Sequence, residues 1–147
     1  MEKLTFSTTI NAPKEKVWEV LWNDSTYRKW TSVFSEGSCV ETDWKEGSKI
    51  LFLDGKGQGM VSIIETSRPN EFMSFKHLGE VKDGVEDTES EAVKKWAGAM
   101  ENYILNEVNG ATEVSVEVDI SDDFKEYFLK TFPKAIEQVK VLSENQQ

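Results

Sequence analysis

The stretch from Asp122 to about Ser143 carries Phe124, Phe128, Phe132, Ile136 and Val139 at helical spacing, one apolar stripe on a single long helix. Ahead of it the pattern reads as a first strand, two short helices and about six further strands. One helix cannot cover both faces of so wide a sheet. The sheet must therefore curve around the helix and leave its convex face to water. Pro133 falls inside the stripe. It removes the hydrogen bond to the Leu129 carbonyl and crowds that turn, a cost of about 3 kcal/mol in a helix interior. An aromatic, interrupted helix over a curved sheet reads as a lid, so function should concern what lies between lid and sheet.

The strands are drawn from alternation and turn residues. Lys3 to Ile10 places Leu4, Phe6, Thr8 and Ile10 on one face. Asn11-Ala12-Pro13 then switches the chain to helix, with Pro13 suited to the first helical position and Val17, Trp18 and Leu21 on the buried side. Asp24 or Ser25 is placed to cap a second short helix, on which Tyr27, Trp30 and Phe34 share a face. Ser38 to Thr42, Ser48 to Leu53, Gln58 to Thr66 and Glu71 to Glu80 follow as strands, with Asp54-Gly55-Lys56-Gly57 as a hairpin turn. Asn102 to Glu107 and Thr112 to Ile120 form a last hairpin around Asn109-Gly110, and Val114, Val116, Val118 and Ile120 face inward. The acidic stretch Val81 to Ala92 reads as a long loop. Lys94 to Met100, with Trp96, reads as a helical turn or as the start of the next strand.

The chain has 147 residues, the size of one domain, 1–147. Five Trp, three Tyr and eight Phe argue against disorder and supply flat surfaces for a pocket wall. The net charge of −10 is spread along the chain, and no Lys/Arg cluster exists to bind nucleic acid or an anionic membrane. No run approaches the roughly 18 apolar residues of a membrane span, and the N-terminus has no apolar signal core, so a cytoplasmic location is expected. The sequon at Asn23-Asp24-Ser25 is then accidental. Cys39 is the single cysteine and has no Cys or His at metal-ligand spacing; with one histidine in the chain, neither a metal nor a cofactor is expected.

Five short stretches, in order, carry a family resemblance: Ile10-Asn11-Ala12-Pro13 with Val17-Trp18; Tyr27-Arg28-Lys29-Trp30; Gly59 to Glu65 with Arg68-Pro69-Asn70-Glu71-Phe72; Tyr103 to Glu107 with Asn109-Gly110-Ala111-Thr112; and Phe132-Pro133-Lys134-Ala135-Ile136. Together they resemble the START-like (SRPBCC, birch-pollen-allergen-like) superfamily, in the branch named for the activator of the heat-shock protein 90 ATPase. The resemblance implies an α+β helix-grip fold. In that fold a curved antiparallel sheet of six to seven strands wraps a long C-terminal helix, two short helices follow the first strand, and a hydrophobic cavity lies between helix and sheet. Lipid carriers, hormone receptors, aromatic cyclases and co-chaperone domains share that fold, so it does not choose an activity.

The candidate ligand-binding residues are Trp30, Phe34, Phe75, His77, Trp96, Tyr103, Phe128, Phe132 and Ile136. Trp22, Tyr27, Trp44 and Phe52 belong to the same aromatic set, and Trp18 is assigned to the core. For each aromatic the plain alternative is core packing. His77 reads either as a polar anchor or acid–base group, or as a satisfied strand histidine. Glu101, Asn102, Tyr103 and Glu65 are further polar candidates. Their facing is open, because Met100, Asn102 and Ile104 compete with Glu101, Tyr103 and Leu105 for the buried side. No catalytic residue is assigned. Gly55, Gly57 and Gly59 lack the Gly-Lys-Ser/Thr of a phosphate loop. The acidic run Asp83 to Glu91 lacks a Ca²⁺-loop pattern and reads as a solvated loop or a gate at the pocket mouth. The leading expectation is a small binding protein for a hydrophobic or amphipathic molecule, lipid-like or aromatic. The alternatives are a cyclase- or hydrolase-like enzyme using His77 or a buried Glu, and an interaction module with a protein partner such as a chaperone.

Overall fold

The computed structural model describes residues 1–145. Its elements run β1 (Glu2–Ile10), α1 (Lys14–Trp22), α2 (Asp24–Trp30), a 3-10 turn (Thr31–Val33), β2 (Cys39–Glu41), β3 (Lys49–Leu53), β4 (Gly59–Arg68), β5 (Phe72–Lys82), β6 (Val85–Asp87), α3 (Glu91–Lys94), β7 (Met100–Val108), β8 (Ala111–Ile120) and α4 (Asp122–Glu144). The sheet is antiparallel and open, in the order β1-β8-β7-β5-β4-β3-β2, with β6 paired to the end of β5. This is the expected helix-grip arrangement, with eight strands rather than six or seven. No described helix is long and apolar enough to cross a membrane.

Local chemistry explains most boundaries. Pro13 sits one position earlier than expected: its extended backbone makes it the N-cap of α1, and its carbonyl accepts the Lys16 and Val17 N–H groups. Asn23, rather than Asp24 or Ser25, caps α2, its Oδ1 accepting the Ser25 N–H at 3.1 Å. Asn109 and Gly110 both have positive φ (54° and 83°), which is what a two-residue hairpin turn requires. The acidic stretch contains structure that its composition hides. Ser90 caps α3, and β6 lies along β5 at Gly79, where a Cβ would collide with the Asp87 carbonyl.

Two slips in register between β4 and β5 redirect side chains. At the first, Ser62 pairs with His77 and Val61 with Gly79, so Leu78 is the extra residue and the alternation reverses beyond it. His77 and Glu80 consequently reach the same concave side. At the second, Glu65 is the extra residue and is exposed.

The core is a single cluster against the concave face, built from Leu4, Ile10, Val17, Leu21, Val114, Val116, Ile136 and Val139 among others. α4 contributes to it unevenly. Its buried residues are Thr131, Phe132, Ala135, Ile136, Val139 and Ser143, so burial begins just before Pro133 and runs through the second half. That half is also tied to the β1–α1 joint: Glu144 Oε2 accepts the Asn11 N–H (2.8 Å), and Lys140 Nζ reaches both Glu144 (2.6 Å) and the Thr9 carbonyl (3.0 Å). Pro133 lies within a helix assigned without interruption, so the lid is one rod rather than two pieces. The first half of the expected stripe is not core. Phe124 is 56% exposed and Phe128 half-buried, and both border open space rather than packed side chains alone.

Candidate functional site

Where α4 overhangs, a cavity of about 440 Å³ opens between its first half, α2 with the following 3-10 turn, and the middle strands. That is within the range of roughly 300–1,000 Å³ for small-molecule sites. Its deepest wall is aromatic. Trp22 is the hub, with ring centroids 4.9 Å from Tyr103, 5.4 Å from Phe75 and 6.4 Å from Trp30, mostly edge to face. Under α4, Phe34 and Phe128 pack on Phe132, which also stacks on Phe6 at 5.1 Å. Trp30 is pinned by its indole N–H, which donates to the Leu21 carbonyl (3.1 Å).

Eight of the nine candidate residues line this space: Trp30, Phe34, Phe75, His77, Trp96, Tyr103, Phe128 and Phe132. Ile136 does not. It lies one turn beyond Phe132, buried against the densely packed end of the sheet, and borders only a small pocket of about 150 Å³ with Phe6, Ser7 and Thr8. Trp22, Tyr27 and Phe52 also line the main cavity. Trp44 does not; it packs on the far side of Trp22 at 5.5 Å. Trp18 packs against the core.

The open question of facing is settled by β7. Tyr103 and Leu105 are buried, Glu101 shares their side, and Asn102 lies on the other face between Ser74 Oγ (2.6 Å) and Glu117 (3.3 Å). Glu101 thus enters the aromatic cavity. One of its oxygens accepts from His77 Nε2 (3.0 Å), the other from the Tyr103 hydroxyl (2.5 Å). With Nε2 donating to a carboxylate, Nδ1 is left to accept the Ser62 hydroxyl at 2.6 Å. His77 is therefore a buried strand histidine with both ring nitrogens bonded, and it also borders the cavity.

The four side chains form one relay, Ser62–His77–Glu101–Tyr103. Burial, followed by the charge of Glu101, pushes the Tyr27 and Tyr103 phenols far above their ordinary range, so both stay protonated donors. Ser62 has no exposed surface and does not line the cavity, which removes it as a nucleophile despite its histidine partner. Ser62 and Glu80 were missed in the sequence. The β-bulge that aims them into place leaves no trace in the alternation. The expected gate is also absent from the mouth. Asp83, Glu86 and Asp87 are instead engaged outside it by Gln58, Lys49 and the α3 cap. Among the described residues, no group of His, Cys, Asp and Glu is arranged to hold a metal ion.

The family model described as Activator of Hsp90 ATPase homolog 1-like protein matches residues 11–135. No curated protein matches by sequence. Among solved structures, the chain is similar to the Aha1 dimer from Colwellia psychrerythraea (TM-score 0.74, 19% identity, covering 98% of this chain and 97% of that one). It is also similar to ChR145 from Cytophaga hutchinsonii (0.72, 22%, 99% and 95%) and to CV1439 from Chromobacterium violaceum (0.72, 16%, 99% and 100%). At such identities the likeness shows the fold. The family model spans most of the chain, and on that match the chain belongs to the Activator of Hsp90 ATPase homolog 1-like family.

Proposed function

We propose that this chain is a small cytoplasmic binding protein, one START-like unit over 1–147, that holds a hydrophobic or amphipathic molecule under the first half of α4. The observation that carries this reading is the aromatic cavity of about 440 Å³ with a few converging polar groups. Affinity would come from apolar burial at about 25 cal/mol per Å², and the Glu101 cluster would set orientation. Native mass spectrometry of the purified chain, with uptake and displacement of a hydrophobic fluorescent probe, tests it. A chain that carries no ligand and takes up no probe would sink it.

One observation favours a second reading, an enzyme of the cyclase or hydrolase kind. The His77–Glu101–Tyr103 relay could move a proton at the cavity wall. Turnover that is lost in His77→Ala and Glu101→Gln would establish that role. The family's name supports a third, binding to a chaperone partner, which a pull-down with the chaperone would decide.

A further inference from the structure

The charged side chains that border the cavity are all of one sign. Asp54, Glu80, Glu101 and Asp119 line it, and among the described residues no Lys or Arg does; Met1, 63% exposed, carries the one cationic group among the lining residues, its terminal ammonium. Asp54 and Asp119 are occupied by backbone N–H groups of Lys56, Gln58 and Met100. Glu101 differs from them. It stands inside, 20% exposed, against the Trp22–Tyr103 wall. It accepts one bond at each oxygen, whereas a carboxylate offers about four acceptor sites, so it can take a further donor from the cavity.

A ligand carboxylate or phosphate placed against Glu101 would be buried beside a like charge with no Lys or Arg side chain to pair it. An ammonium meets the reverse: a carboxylate for a charge-assisted bond, aromatic rings around it, and a chain of net charge −10 whose field draws cations in.

Resting on the reading that the cavity holds a small amphiphile, we propose that its ligand class is the hydrophobic amine, with the protonated nitrogen against Glu101, and that anionic amphiphiles are rejected.

The test uses the full chain loaded with N-phenylnaphthylamine, a neutral fluorescent probe, and displaces it near neutral pH. The competitors are decylamine, decanol and decanoate, below the concentrations at which they form micelles. Decylamine should displace the probe at about ten-fold lower concentration than decanoate, with decanol between them. In Glu101→Gln the ratio of amine to alcohol should fall toward one. Decanoate competing as well as decylamine overturns the proposal, as does an amine advantage that Glu101→Gln leaves intact. The wild-type comparison stands even if that variant fails to fold. A probe that does not bind at all overturns the cavity-binding reading and the proposal with it. Probe binding with a carboxylate preference removes the proposal alone.

Discussion

His77 is held from both sides, and each partner depends on it. Ser62 is fully buried, and its hydroxyl is bonded to Nδ1. His77→Phe keeps the ring's bulk beside Phe52, 5.8 Å away, but strands that hydroxyl. Leaving a buried polar group unpaired costs about 1–3 kcal/mol. The expected result is a lower urea midpoint for His77→Phe, partly recovered by adding Ser62→Ala. Full additivity of the two substitutions would show that the bond contributes nothing. The phenols give a pH signature. Tyr27 and Tyr103 hold their protons in the folded chain well above the ordinary value of 10.0, chiefly because they are buried. The unfolded chain releases those protons near pH 10. Their contribution is therefore fully present below that pH and is lost as the pH rises beyond it. Denaturant midpoints should fall steeply above about pH 10. Tyrosinate absorbance from these two residues should appear together with unfolding; ionisation in a chain that stays folded would contradict the burial.

α4 is one helix with two environments. Its second half is gripped by the sheet and clamped through Lys140 and Glu144, and its first half overhangs the cavity. Pro133 sits at the boundary. Pro133→Ala returns an N–H to the Leu129 carbonyl, worth up to about 3 kcal/mol in a helix interior, less about 0.4–1 kcal/mol of unfolded-chain entropy. A net gain of about 1–2 kcal/mol in guanidinium titration is expected. An unchanged or lower midpoint would mean that the proline ring's packing near Phe6 and Thr8 outweighs the missing bond. Elements with one strong period were legible in the sequence: β8 with its four inward apolar residues, and α4 with its stripe. Elements specified by contacts were not. β6 is short and acidic, and forms because Gly79 lets a neighbour approach. The facing of β7 was ambiguous because Met100, Ile104, Tyr103 and Leu105 give both sides apolar residues. The aromatic walls could be named because bulk rings have few other places to go. The relay could not, because Ser62 and His77 meet only through a register slip between two strands.

At the scale of the molecule, packing and binding are spatially divided. The end of the sheet near β1 and β8 is filled by α1 and the second half of α4, while the middle strands and the first half of α4 enclose space. Substitutions should therefore separate into two kinds. Ile64 has no exposed surface and does not border the cavity. Ile64→Ala should cost about 2–5 kcal/mol, since the site cannot fully collapse. Phe128 is half-buried on the cavity wall, and Phe128→Ala should cost only about 1 kcal/mol. Their response to a bound probe should be the opposite. At about 100 times its Kd, a probe that binds only the folded chain adds about 2.7 kcal/mol of stability. For a chain of this size that is a rise in Tm on the order of 5–10 °C. Ile64→Ala should start from a lower Tm and keep most of that rise. Phe128→Ala should start near the wild-type Tm and lose much of it at the same probe concentration, because the wall the probe lies against is gone. Thermal unfolding of the three proteins with and without N-phenylnaphthylamine decides the matter. Equal loss of the rise in both variants would mean that core and cavity are one cooperative unit and not two.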